Sequence, residues 1–522
     1  MTTSRSFTAL WQRFFIIAGN IFFFIIFFLL LTTKEQDFRN TSNLKLFAGS
    51  LPITLFLYAL FFFLSRKKAS PLLPAAAVPK HPLLAPVMGY LLLFLLLCVC
   101  IHFTYFYTGW DVGLIRVRLE GLLAGQTAQE TGVDVGYSIY PNNLLLFYLQ
   151  YLTVKAGAVF FPEHPYNLCL YSSCLCVTLA CFLGSLTIRQ ISRNRLIRLM
   201  YTLISTLYIL CSPWVMIPYS DTYGMLFVAL GIWALFCARK PAVKWPVFAF
   251  ASLIGCRIKP TCIFLLFAAV ILYLPSLPAL FRAKRRELCI FLLSCLIFFI
   301  IGQGISPWIQ HRLDFTLDPE RKVPPTHYIM MGLNTGSKGG FDGSDYVFTT
   351  SLPTYEEKVR RTLRESKLRW LETTPAQKRD HYMAKFLYTY NDGTFSWTKE
   401  GGFFDVMPEH DNPLNDLYLQ IVKPEGKYFT AYCNFAQIIW LQILLGIPFL
   451  FLRRERQTSR KAFLTIVLCG LTVFLMLFEA RARYLFLYSP AFLILSLYGY
   501  DGLFSFLSKN GEPERQKQPD VP

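Results

Sequence analysis

The chain has 522 residues, 54% of them hydrophobic, 16% aromatic and only 16% charged. A soluble protein carries more charge, about 25%, so the soluble globular classes are excluded. The net charge of +19 is compatible with nucleic acid, but Lys and Arg retained in cytoplasmic loops of a membrane protein account for it, and no nucleic-acid partner is expected.

Uncharged runs near the length that crosses a hydrocarbon core of about 30 Å recur along the chain. They predict an all-α polytopic membrane protein with about twelve transmembrane helices. In chain order the spans are 8–31, 46–64, 86–107, 166–188, 198–217, 222–238, 245–256, 260–275, 288–306, 432–452, 461–478 and 483–500. The first run, Phe14 to Leu31, lacks a small-residue cleavage site and reads as a retained helix rather than a signal peptide. The pair 245–256 and 260–275 reads as helices broken around Arg257-Ile-Lys259-Pro260. The cysteines sit nearly all inside apolar runs (Cys98, Cys100, Cys169, Cys174, Cys176, Cys181) and form no CxxC pair, so neither a disulfide framework nor a zinc site is indicated.

Basic clusters orient the spans: Arg66-Lys67-Lys68, Arg189 to Arg198, Arg239-Lys240 with Lys244, Arg282 to Arg286, and Arg453 to Lys461. All are expected on the cytoplasmic side. Residues 142–161 are apolar enough to span, but a crossing there would put the 189–198 loop outside, against the trend. An interfacial helix in the first large outer loop, carrying Gln150 and Lys155, keeps every cluster inside. Both termini are then cytoplasmic, in a multi-pass cell-membrane protein. The expected organisation is a two-helix N-terminal addition (1–85), a membrane core (86–306) with the outer loop 108–165, a small, mainly helical extracytoplasmic cap (307–431), C-terminal spans (432–500) and a cytoplasmic tail (501–522). Within the cap, Thr354 with Glu357 opens a helix to about 372, and Thr374-Pro375 with Gln377 opens another to about 390. Gly-rich stretches at 332–345 and 391–403 flank them.

Five polar groups collect on the expected outer face: Gly109-Trp110-Asp111, Tyr140-Pro141-Asn142-Asn143, Tyr219-Ser220-Asp221-Thr222, Arg257 with Lys259, and Glu479-Ala-Arg481-Ala-Arg483-Tyr484. Each has an ordinary explanation. Asp111 is a solvated interfacial residue, Pro141 and the asparagines start a helix, and Ser220 or Asp221 caps the next span. Arg257 and Lys259 snorkel, and Glu479 pairs with an arginine. Their convergence is less ordinary. A carboxylate beside a membrane exit, with several cations at membrane depth, suits a membrane-embedded anionic substrate, and a lipid phosphate is the obvious candidate.

The ordered segments GWD (109–111), YPNN (140–143), YSDT (219–222), IKPT (258–261), MGLN…GG (331–340) and EARARY (479–484) resemble the GT-C membrane glycosyltransferases. These include protein O-mannosyltransferases, lipid A aminoarabinose transferases and bacterial relatives. The resemblance covers the chain from about residue 86. The pattern departs where protein O-mannosyltransferases carry paired acids, since Asp111 is followed by Val112, and where Tyr140-Pro141-Asn142 replaces their His-Pro-Pro. Sugar and acceptor therefore do not carry over.

The resemblance implies transfer of a sugar from a polyprenyl-phosphate donor to a glycan, lipid or protein acceptor, inverting, with membrane lipids around the site. On that reading Asp111 is the general base, held at depth by Trp110 and Tyr107, and Asp134 is a reserve acid. Arg481 and Arg483 take the lipid phosphate, with Arg257 or Lys259 as alternatives. Tyr140, Asn142, Asn143, Asp221, Glu479 and Tyr484 complete the substrate contacts. No cofactor is expected; a divalent metal is compatible with converging carboxylates but is not indicated. The alternatives are a transporter or flippase for lipid-linked glycans, or a polymerase or ligase using a pyrophosphate-linked donor.

Overall fold

The structure is a computed structural model that describes residues 2–34, 41–66, 83–397, 399, 412–453 and 457–507. Parts of the basic clusters at 66–68 and 453–461, the end of the second Gly-rich stretch and the tail beyond 507 lie outside the described residues.

Helices follow one another without a strand among the described residues. The first three, α1 (Thr2–Thr32), α2 (Asn43–Arg66) and α3 (Leu84–Thr104), are long and apolar. Short helices α4 (Trp110–Leu123) and α5 (Val133–Ile139) lead to α6 (Leu144–Phe160). Then come α7 (Asn167–Ile191), α8 (Arg195–Ile204), α9 (Ser220–Cys237), α10 (Pro241–Leu253), α11 (Phe264–Tyr273), α12 (Leu277–Ala283) and α13 (Arg285–Arg312). Next come α14 (Pro325–Gly332), α15 (Gly343–Thr350), α16 (Tyr355–Glu372), α17 (Pro375–Tyr390) and α18 (Pro413–Val422), in the segment expected to form a cap. The chain closes with α19 (Phe429–Gly446), α20 (Thr458–Leu477), α21 (Arg483–Phe486) and α22 (Ser489–Leu507).

Ten helices among the described residues are long and apolar enough to cross a membrane. The sequence count was about twelve, and the difference has local causes. The 198–217 segment leaves α-geometry after Ile204, winds through a π turn at Ser205–Leu210 and ends in a 3₁₀ turn at Pro213–Met216. The 245–256 and 260–275 segments are α10 and α11, each too short, joined through 3₁₀ turns on either side of Lys259. Residues 141–160, most of the segment 142–161 expected to lie on the outer surface, are among the ten by length and composition alone. Gln150, which supported a surface position, is wholly buried and donates to the Pro218 carbonyl at 2.5 Å. The outer loop also holds α4 and α5, which the hydropathy did not reveal.

Helices α16 and α17 start where their capping residues stand. Thr374 Oγ1 accepts from Gln377 N at 3.3 Å, and the Gln377 side chain returns to Thr374 N at 2.8 Å. Thr354 Oγ1 accepts from Glu357 N at 3.2 Å. Both satisfy amides that the first turn leaves without partners.

Within the bundle α7 packs on α9 and α3, α10 on α9 and α13, and α1 on α20. Outward-facing Leu92, Leu95 and Leu96 of α3 and Leu293, Phe299 and Ile300 of α13 are exposed. Water would not tolerate such a belt, whereas lipid covers it. The N-terminal helices are stitched into the rest. Asn43 donates to the Leu30 carbonyl at 2.7 Å and to Asn391 Oδ1 at 2.6 Å, and accepts from Gln437 Nε2 at 2.9 Å. Gln437 in turn accepts from Gly393 N at 2.6 Å. The 391–397 loop is held by buried indoles, Trp214 donating to Thr394 O at 3.0 Å and Trp397 to Val422 O at 2.9 Å.

Helices α19 and α22 touch backbone to backbone: a Cβ on Gly499 would stand 1.9 Å from the Gly446 carbonyl oxygen. Small residues permit that approach. Gly499→Ala is therefore expected to destabilise the purified protein by about 1–3 kcal/mol, read as a lowered thermal midpoint in detergent. An unchanged midpoint would show that the two helices can separate freely.

Candidate active site

Helix α4 begins at Trp110, whose φ of 43° lies in the left-handed region. A bulky residue rarely adopts it, so this is stored strain at a place of interest. The turn lays the indole edge-on against Tyr219, with ring centres 5.0 Å apart, and sets Asp111 in the first turn of the helix. There the helix dipole favours a negative charge. Asp111 is exposed. Its Oδ2 accepts from the Tyr219 hydroxyl at 2.8 Å, and that hydroxyl accepts from Asn143 Nδ2 at 3.3 Å. Asn142 donates to Asn143 Oδ1 at 3.1 Å. The Tyr107 hydroxyl donates to Asn167 at 2.8 Å rather than to Asp111.

On the other side of Tyr219 lies a buried ionic cluster. Asp221 Oδ1 is 2.7 Å from Lys259 Nζ, and its Oδ2 is 3.3 Å from Arg483 Nε. Both oxygens of one buried carboxylate are thus engaged by cations. The cap of α9 explains why Asp221 is available for them. Thr222 Oγ1, not Ser220 or Asp221, accepts from Tyr219 N, at 3.3 Å. The Arg483 guanidinium stacks over Trp110 at 4.3 Å and Tyr219 at 5.3 Å. The Lys259 ammonium lies 4.3 Å from the Tyr484 ring centre and within 3.4 Å of Ser220 Oγ. Aromatic faces favour cations at these distances.

Around this pair the structure sorts the remaining expected residues. Glu479 is buried and pairs with Arg481 at 2.6 Å. Tyr140 stacks on Tyr346 of α15, ring centres 6.4 Å apart. Burial raises the Tyr140 phenol, and Tyr328, Tyr346, Asp111 and Glu479 add to the effect. Tyr328 of α14 is raised by burial and then by Glu479, Tyr484 and Asp111. These two phenols therefore lie within electrostatic reach of both carboxylates.

Two expected residues stand elsewhere. Arg257 faces α13, where its guanidinium lies against Gly302, and it forms no ion pair among the described residues. Only Lys259 of the pair reaches Asp221, because the 3₁₀ turns on either side of Lys259 send neighbouring side chains different ways. Asp134 lines a separate cleft of about 250 Å³ with Ser138, Thr316, Leu317, Asp318 and Arg321.

Sequence reasoning missed the role of Tyr219, although the YSDT segment contains it, because a tyrosine beside a span reads as an interfacial anchor. It also missed Tyr328, Tyr346 and the buried Lys385, which no local motif marks. Among the described residues no group of three or more His, Cys, Asp and Glu side chains converges as metal ligands would.

Removing the shared carboxylate leaves two buried cations without their common partner, which costs about 3–5 kcal/mol in such settings. Asp221→Ala is expected to lower the thermal midpoint sharply. Asp221→Ala combined with Lys259→Met should recover part of the loss. A single variant as stable as the parent would mean that the cluster contributes no net stability.

A family model described as "Conserved hypothetical integral membrane protein" matches residues 2–502. No curated protein matches the sequence. Among solved structures, the crystal structure of ArnT from Cupriavidus metallidurans bound to undecaprenyl phosphate aligns with 80% of this chain and 78% of its own, at 12% identity and a TM-score of 0.27. A likeness that slight carries no argument about the chemistry of this chain.

Proposed function

The chain belongs to this family of conserved integral membrane proteins, and we propose that it is a GT-C-type glycosyltransferase moving a sugar from a polyprenyl-phosphate donor to a glycan, lipid or protein acceptor. One observation carries the reading. An accessible carboxylate, Asp111, is held by Tyr219, and the same tyrosine ring lies against a buried cluster that includes Lys259 and Arg483.

In the proposed reaction the acceptor hydroxyl attacks the anomeric carbon. The bond from that carbon to the phosphate oxygen breaks, and its electron pair leaves on the polyprenyl phosphate. The hydroxyl proton passes to Asp111 as general base. A single displacement of this kind inverts the anomeric centre. Cations beside the leaving phosphate lower the barrier by neutralising charge as it develops, so a second carboxylic acid is not needed, unlike in glycoside hydrolysis. Lys259, Arg481 and Arg483 are assigned to the phosphate. Tyr140, Asn142 and Asn143 are assigned to the sugar, and Asp221 to holding the cations rather than to the sugar.

The membrane arrangement proposed with it places the site on the extracytoplasmic face and both termini in the cytoplasm, with 142–161 on the outer surface. A cysteine at Lys155, an exposed position on α6, should react with an impermeant reagent added outside intact cells. Labelling from the cytoplasmic side alone would overturn this arrangement.

The enzymatic reading is tested by offering the purified protein polyprenyl-phosphate sugars and following released polyprenyl phosphate. Asp111→Asn keeps the shape and removes the base. A rate lower by about 10²–10⁴-fold is expected, with folding intact. Equal rates would remove Asp111 from the chemistry. No release from any donor would favour a transporter of lipid-linked glycans.

A further inference from the structure

Lys385, on α17 of the cap, is wholly buried. A buried ammonium is costly unless its donors are used, and no carboxylate lies within ion-pair distance of it among the described residues. Its Nζ donates instead to two main-chain carbonyls, Gly332 at 2.8 Å and Phe478 at 2.6 Å. The first closes α14 in the cap; the second directly precedes Glu479. One turn earlier on the same helix, His381 Nε2 lies 3.0 Å from the same Gly332 carbonyl.

The surroundings are shaped to this contact. Ala480 N donates to the Gly339 carbonyl at 2.8 Å, so the 332–340 loop and the 478–484 turn also meet backbone to backbone. Gly339 has φ +71°, and a Cβ there would stand 2.7 Å from Lys385 Cδ. A Cβ on Gly332 would stand 2.7 Å from the Phe478 carbonyl oxygen. The glycines of MGLN…GG thus serve a close approach between cap and turn. The turn carries Glu479, Arg481 and Arg483, while α14 and α15 carry Tyr328 and Tyr346.

We propose that Lys385 is a positioning residue that latches the cap loop 332–340 onto the 478–484 turn, and so sets Arg481 and Arg483 for an anionic lipid phosphate. The latch stands on its own geometry; its consequence for phosphate rests on the glycosyltransferase reading. Lys385 touches no substrate in this scheme and acts only through the turn.

Burial lowers the Lys385 ammonium to about 7 against the opposing pull of Glu479. The titratable groups facing it are Glu479 from the turn and His381 on its own helix. A neutral amine still has two N–H groups for the two carbonyls, so the latch persists above that pH. Between about 7 and the ordinary lysine value near 10.4, the unfolded chain binds a proton that the folded chain does not. Stability is therefore expected to rise with pH through that window, and Lys385→Met should lose that part of the rise.

The test uses the full-length protein in detergent, with hydrogen exchange and the binding of a polyprenyl phosphate without sugar as separate readouts. Lys385→Met should speed exchange at both 330–340 and 476–484 while other segments stay protected. It should weaken polyprenyl phosphate by about tenfold, near 1.4 kcal/mol. Gly339→Ala displaces the lysine without deleting it and should give the same exchange pattern. Unchanged exchange in both variants overturns the latch. Faster exchange at both segments with unchanged phosphate affinity overturns the positioning role. A parent that binds no polyprenyl phosphate counts against the glycosyltransferase reading, while the exchange result still decides the latch.

Discussion

Burying charge in an apolar bundle is the constraint around which this fold is arranged. Asp221, Lys259 and Arg483 come from three distant parts of the chain and meet inside a protein whose outer helices face lipid. Helical backbone alone does not deliver them. Asp221 lies in the first turn of α9, Lys259 in the break between α10 and α11, and Arg483 at the start of α21, in the 478–484 turn that follows α20. Each is a place where the main chain departs from a continuous helix. Such departures are tolerated at membrane depth only where protein or a polar cavity receives the freed backbone groups. Here the receiving contacts are visible: Tyr488 hydroxyl on the Thr261 carbonyl at 2.7 Å, and Gln150 on that of Pro218.

Tyr219 ties the ionic cluster to the accessible carboxylate. Its hydroxyl reaches Asp111, and its ring faces both Arg483 and Lys259. Trp110 completes the sandwich around the guanidinium at the cost of a left-handed backbone. Planar stacking fixes an arginine's fork more tightly than a lysine's point charge, so Arg483 is the better-defined of the two cations. Helix α17 reaches α14 and the 478–484 turn through Lys385, and the 391–397 loop is bonded to α18 by Trp397 and to α19 by Gly393.

How much of this was legible depended on whether a signal is local. Hydropathy found the long helices because apolar length is written in consecutive residues, and capping pairs found α16 and α17 for the same reason. It overcounted where a span of ordinary composition breaks geometry, as at Ser205–Leu210 or around Lys259. The polar residues of the site were visible as misfits in apolar surroundings, which singled out Asp111, Asp221, Lys259 and Arg483. Their pairing was not visible, since nothing local says that Lys259 turns inward while Arg257, two residues earlier, turns toward α13. Tyr219 and Lys385 were hidden for opposite reasons: one resembled a common interfacial anchor, and the other a common surface residue of a helix.

The geometry also separates the acids by what each is able to do. Asp221 is buried between two cations, so its charge is committed to them. Glu479 is buried and engaged by Arg481. Asp134 lies in a cleft of its own. Of these four acids, Asp111 combines exposure with a neutral hydrogen-bond donor. Tyr219 occupies Oδ2 and orients the carboxylate, while among the described residues Oδ1 accepts no hydrogen bond. A general base needs that arrangement: one oxygen fixed so that the other points at an incoming hydroxyl. Holding it by a phenol rather than by an arginine leaves its charge unneutralised by direct pairing. In the proposed reaction the cations stand one ring away, beside the leaving phosphate, rather than on the base.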